Sequence, residues 1–123
     1  AESDLKKMTD GWFVAWMPDV NQKNEKFATY LIQNSLWWIE YAGLDGIRMD
    51  TYPYPDKTFM SRYAKALLDE YPRFNLVGES WINSVPMTAY WQKGFVGKDG
   101  YQTQLPSVTD FPFYFTVLQS LNE

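Results

Sequence analysis

Two short apolar runs, Gly46-Ile47-Arg48-Met49-Asp50 and Asn75-Leu76-Val77-Gly78-Glu79, each end on an acid, and those acids stand 29 residues apart. Short apolar runs bounded by glycine and a polar end read as buried strands. Between them, residues 51–55 hold two prolines and two tyrosines and form a loop. Asp56 then stands as an N-cap before Phe59, Met60, Tyr63, Ala64, Leu67 and Leu68, which recur at helical spacing until Pro72. The unit is strand, loop, helix, strand. A repeat of this length builds neighbouring parallel strands joined by a right-handed crossover.

The alternation extends in both directions. Residues 24–42 carry Ala28, Ile32, Leu36 and Ile39 on one helical face, with Leu31 and Trp38 beside them and Gly43 as the stop. Of the mid-helix pair Trp37-Trp38, at least one is expected in the core. Downstream, Ser84 predicts the cap of a short helix over 85–93, residues 107–111 read as a third strand, and Pro112 opens a helical pattern through Phe113, Val117, Leu118 and Leu121. Residues 1–21, including Trp12, Phe13 and Trp16, lack periodicity and read as an irregular segment or long loop. The fold class is α/β with about three parallel strands. A complete eight-unit barrel of this type takes about 250 residues, so a 123-residue chain holds about half of one.

Composition narrows the chemistry. Eleven Lys and Arg against fifteen Asp and Glu give a net charge of −4, which argues against a phosphate-backbone partner and so against nucleic acid. The apolar runs are too short to predict a membrane span. The chain has no Cys, which removes disulfides and thiolate nucleophiles, and no His, which removes Ser-His-Asp and Cys-His machinery together with imidazole metal sites. Chemistry falls to carboxylates, Lys, Tyr or hydroxyls. Aromatic residues reach 19%, high enough that some rings are expected to serve a surface.

Asp50 and Glu79 are therefore the first candidates. Adjacent parallel strands lie about 4.8 Å apart, so carboxyl groups at equivalent strand ends can approach to about 5 Å. Retaining glycosidases hold a nucleophile and a general acid/base roughly 5–5.5 Å apart. The plainer reading is that acids collect at strand ends because exposed loops begin there. Arg48, two residues before Asp50 on one strand, points to the same face, where its guanidinium would keep a nucleophile ionised; an ion pair at a barrel rim is the structural alternative. An apolar wall at Trp81 would favour the protonated form of Glu79. Tyr52 and Trp81 follow the acids at once and are expected to contact sugar faces, against the alternative of rings packed beneath a loop. Tyr54 is left unassigned.

Three motifs in order, MPDVN at 17–21, GIRMD at 46–50 and GESW at 78–81, resemble glycoside hydrolase family thirteen, the α-amylase superfamily, and in particular its neopullulanase and cyclomaltodextrinase branch. GIRMD is similar to the family's fourth-strand motif, which implies Asp50 as nucleophile and Arg48 as a contact of the catalytic acids. GESW is similar to the fifth-strand motif, which implies Glu79 as acid/base. MPDVN resembles the motif near the end of the family's inserted domain. The resemblance implies a partial (β/α) TIM-barrel fragment, with residues 1–23 as the tail of the inserted subdomain and 24–123 as central βα units of the catalytic barrel.

It further implies a retaining hydrolase of α-1,4-glucosidic bonds in starch-derived or cyclic maltooligosaccharides, working without an organic cofactor on an α-glucan substrate. A transglycosylase or α-1,6-acting relative uses the same carboxylates and is the runner-up. The third catalytic acid of the family is expected outside this chain. The compartment is left open, with an extracytoplasmic one favoured by the resemblance. Where many members have Lys and His three and four residues after the nucleophile, this sequence has Pro53 and Tyr54. That departure, with Asp19 read as a solvated acid, leaves no metal assigned. Taken alone, the chain is expected to lack turnover and to self-associate through unpaired strand edges, behaving as a non-catalytic carbohydrate-binding module.

Overall fold

The computed structural model describes residues 6–7 and 9–122, so the start of the irregular N-terminal segment lies outside the described residues. The elements run β1 (Trp12–Val14), β2 (Met17–Pro18), α1 (Glu25–Ala42), β3 (Gly46–Met49), α2 (Lys57–Glu70), β4 (Asn75–Gly78), α3 (Val85–Ala89), β5 (Ser107–Val108) and α4 (Phe111–Asn122). β3, β4 and β5 form one parallel sheet in sequence order, while β1 and β2 pair as an antiparallel hairpin. Strand order without reversal, each strand followed by a helix, is the arrangement of a (β/α) barrel rather than of a doubly wound sheet. Among the described residues no helix is long and apolar enough to cross a membrane.

Local chemistry accounts for the helix limits. Asn24 caps α1 by accepting from the N–H groups of Lys26 and Phe27, a contact worth about 1 kcal/mol. Gly43 ends it at φ 61°, a conformation glycine enters without steric cost. Asp56 caps α2 through the Phe59 N–H at 2.9 Å. Ala28, Ile32 and Ile39 of α1 meet Phe59, Met60, Tyr63 and Leu67 of α2 in the core, with Leu76, Tyr52, Phe74 and Leu105. Tyr63 Oη donates to Ser35 Oγ at 2.7 Å, tying the two helices together.

Several expectations are corrected. Trp37 and Trp38 are both about half exposed, because the buried face of α1 is the Ala28–Ile32–Ile39 stripe and the two indoles, packed with Tyr41, stand off it. β3 is not a buried strand: helices cover one face of the sheet only, and β3 is its edge strand among the described residues. The helix expected over 85–93 closes at Ala89, and the strand expected over 107–111 stops at Val108 as α4 begins at Phe111. The β1–β2 hairpin lies where no period was readable.

The long connection after α3 is anchored rather than loose. Lys57 Nζ, at the start of α2, donates to Asp99 Oδ2 at 2.6 Å and to Tyr90 Oη at 3.1 Å, and lies 4.9 Å from the ring centre of Tyr101. The Lys57 ammonium and the Tyr90 hydroxyl hold the Asp99 carboxyl well below its ordinary range. Tyr101 Oη closes the clamp on Lys57 O at 2.8 Å.

Gly78 marks the tightest approach in the core. A Cβ there would lie 2.7 Å from Leu105 Cδ2 and 2.8 Å from Tyr52 Cγ. Both neighbours are fully buried and cannot step aside. Gly78→Ala is therefore expected to destabilise the chain by about 1–3 kcal/mol, the usual cost of overpacking. An unchanged urea midpoint would refute this.

Candidate active site

The β3–β4 register pairs Arg48 with Val77 and Met49 with Gly78, and the Glu79 N–H donates to Met49 O at 2.8 Å, one step beyond the strands. Paired residues of parallel strands point to the same side. Leu76 and Gly78 accordingly face the helices and are buried, whereas Arg48, Asp50, Val77 and Glu79 share the face that none of the described helices covers. Alternation thus puts Arg48 and both acids on one face.

On that face the Arg48 guanidinium joins both acids. Its Nη1 bonds Asp50 Oδ1 and its Nη2 donates to Glu79 Oε1 at 2.8 Å. A planar guanidinium presents its N–H groups in a fixed fork, and here the fork is shared between two carboxylates. The second oxygen of Glu79, Oε2, accepts the Thr51 backbone N–H at 3.0 Å. The Glu79 side chain is 12% exposed, Arg48 52% and Asp50 73%. One acid is therefore sheltered and held on both oxygens, while the other is open to anything approaching the face.

The two aromatic candidates part company. Trp81 lies two residues past Glu79, is 65% exposed, and stacks on Phe111 of α4 with ring centres 4.4 Å apart. Tyr52, expected to face sugar, is fully buried: its ring packs edge-on to Trp91 and its hydroxyl lies 3.3 Å from Thr103 Oγ1. Burial pushes its phenol pKa well up. Simple alternation from Asp50 would have put Tyr52 on the open face. Thr51, at φ 49°, breaks that alternation and turns Tyr52 into the core. Tyr54 packs its ring edge-on to Phe13 of β1 at 4.8 Å, joining the hairpin to the loop after Asp50.

No sequence signal marked Thr51, because its contribution is a backbone N–H. A cleft of about 850 Å³ opens beside this loop, lined by Pro53, Pro55, Ile82, Met87, Tyr90 and Trp91 among others, and neither acid lies in its wall. Asp19 accepts from Gln22 Nε2 at 2.8 Å, and among the described residues no group of three acidic, His or Cys side chains is placed to hold a metal ion.

No protein-family profile matches the chain. It is 32% identical over 82 residues to an intracellular maltogenic amylase of Bacillus subtilis, a match covering 67% of this chain and 13% of that protein. It is 28% identical over 97 residues to a cyclomaltodextrinase of Thermoanaerobacter pseudethanolicus, covering 79% of this chain and 15% of the relative. Among solved structures, an Anoxybacillus α-amylase superposes with a TM-score of 0.76 at 28% identity, over 93% of this chain and 23% of that one. The chain spans roughly a seventh of the curated relatives it matches.

The Arg48–Asp50 arm of the bridge is expected to matter little to stability. Arg48 and Asp50 are largely exposed, and solvent-exposed ion pairs contribute about 0–1 kcal/mol. Asp50→Asn, which breaks the exposed arm and leaves Arg48 on the sheltered Glu79, should lower the unfolding free energy measured in urea by no more than that. A loss of several kcal/mol would mean that the bridge supports the fold rather than the face.

Proposed function

From the homology of this chain to amylases and cyclomaltodextrinases of glycoside hydrolase family thirteen, we propose that it forms the central βα units of a retaining α-glucan hydrolase. In this reading residues 24–123 belong to the catalytic barrel and 1–23 to the tail of an inserted subdomain. Asp50 is the nucleophile, Glu79 the general acid/base, and Trp81 a sugar-facing ring. The observation that carries the reading is one guanidinium bonded to both acids at the C-terminal ends of adjacent parallel strands. That is the end of the strands where barrel enzymes place their chemistry.

The residues suit double displacement. Asp50, exposed and paired with Arg48, is open to attack the anomeric carbon as a carboxylate. Glu79, sheltered and held from two sides, is placed to protonate the leaving oxygen and then to take a proton from water. A pair of acids bridged by one guanidinium is compatible with the roughly 5–5.5 Å spacing of retaining enzymes. The substrate we assign is an α-1,4-linked maltooligosaccharide, linear or cyclic.

Asp50→Ala in the complete barrel is expected to lower activity by orders of magnitude on every substrate, because no glycosyl ester can form. Glu79→Ala should abolish glucan cleavage yet spare the first step on a substrate with an acidic phenol leaving group, which needs little protonation. Its intermediate should accumulate, and mass spectrometry should find the adduct on the peptide containing Asp50. An adduct on Glu79 would reverse the two roles.

For the 123-residue chain alone we infer self-association without turnover. Among the described residues β3 has an unpaired edge and one face of the sheet is uncovered, and Trp37, Trp38, Tyr41, Phe113 and Leu121 are exposed. Light scattering at high micromolar concentration is expected to find a dimer or larger species, and starch assays no hydrolysis. A monodisperse monomer, or activity that survives purification, would contradict this.

A further inference from the structure

The ladder between β3 and β4 gains a residue beyond Met49. In an unbroken parallel ladder the Glu79 carbonyl, whose own N–H bonds Met49 O, would next accept from residue 51. It accepts instead from the Tyr52 N–H at 3.1 Å. Thr51 is thus the extra residue of a β-bulge, and its φ of 49° lies in the left-handed region that β-branched residues rarely enter. The bulge frees the Thr51 N–H from the ladder and aims it at Glu79 Oε2, 3.0 Å away.

The two oxygens of Glu79 therefore have partners of different kinds. Oε1 meets the Arg48 guanidinium, carried at the end of a long, half-exposed side chain. Oε2 meets a backbone donor that cannot move without undoing the bulge. In a protonated carboxyl one oxygen is the O–H donor and the other an acceptor. A permanent N–H on one oxygen selects the other for the proton.

We propose that Thr51 is a positioning residue for Glu79: its bulged amide keeps Oε2 an acceptor in both protonation states, so that the transferable proton resides on Oε1, on the side of Asp50. The proposal rests on the acid/base reading of Glu79. In the first step the Oε1–H bond breaks, its electron pair staying on the carboxylate. The proton passes to the glycosidic oxygen as that oxygen's bond to the anomeric carbon breaks and the Asp50 ester forms. Oε2 keeps its N–H throughout. The left-handed strain at Thr51 is what this costs the fold.

The test is nuclear magnetic resonance on the full chain, following the residue-51 amide shift and its hydrogen exchange across pH beside the Glu79 side-chain carbon. The amide proton should shift in step with Glu79 protonation and remain protected on the acid side. That shift should vanish in Glu79→Gln and persist in Asp50→Asn. Thr51→Gly, which keeps the N–H and adopts positive φ freely, should retain it. An amide that stays flat, follows Asp50, or loses protection once Glu79 is protonated overturns the proposal. None of these readouts needs turnover. Glucan hydrolysis surviving Glu79→Ala in the complete barrel would instead sink the acid/base reading and leave the amide contact intact.

Discussion

The parallel pairing of β3 with β4 is the contact on which the rest depends. Its register, Gly46 with Asn75 through Met49 with Gly78, decides which side chains share a face. Two acids 29 residues apart become neighbours only because this ladder is in register to its end. A slip of one residue would send Glu79 to the helix side and Gly78, which the core requires without a Cβ, to the open side. The same pairing thus sets the core and the carboxylate pair together.

The two faces divide the work. Toward the helices, Leu76 and Gly78 sit under Tyr52 and Leu105, with α1 and α2 closing over them. Toward the open side stand Arg48, Asp50 and Glu79, groups costly to bury unpaired. A sheet whose second face carries charge cannot be closed by another apolar layer. It suits a barrel interior, which the α-amylase neighbour has in full and of which this chain holds part.

What was legible in the sequence follows from the two periods. The helices declared themselves through Ala28, Ile32 and Ile39 and through Phe59, Met60, Tyr63 and Leu67, because 3.6-residue spacing survives over many residues. Asn24, Asp56 and Gly43 marked ends through chemistry that acts locally. The acids were legible because strand ends and loops are punctuated by Gly and Pro. The hairpin Trp12–Pro18 was not, since strands of three and two residues are too short to show alternation. The exposure of Trp37 and Trp38 was not either, because periodicity says which residues share a face but not how wide the covered face is.

Tyr52 shows where this kind of reading fails. Counting by twos from Asp50 puts Tyr52 on the sugar side, and the inference is sound for an unbroken strand. One extra residue reverses it. The left-handed turn at Thr51 sends Tyr52 inward, where its ring meets the spot a Gly78 side chain would occupy, and leaves Asp50 outward at the rim. A bulge requires no particular side chain, so a threonine at that position announces nothing. Yet the bulge places the Tyr52 ring that packs the core and the Thr51 N–H that meets Glu79 on successive residues. A rearrangement that straightened the bulge would take Tyr52 out of the core as it took the donor from Glu79. In this segment, packing and site geometry are therefore a single conformational state.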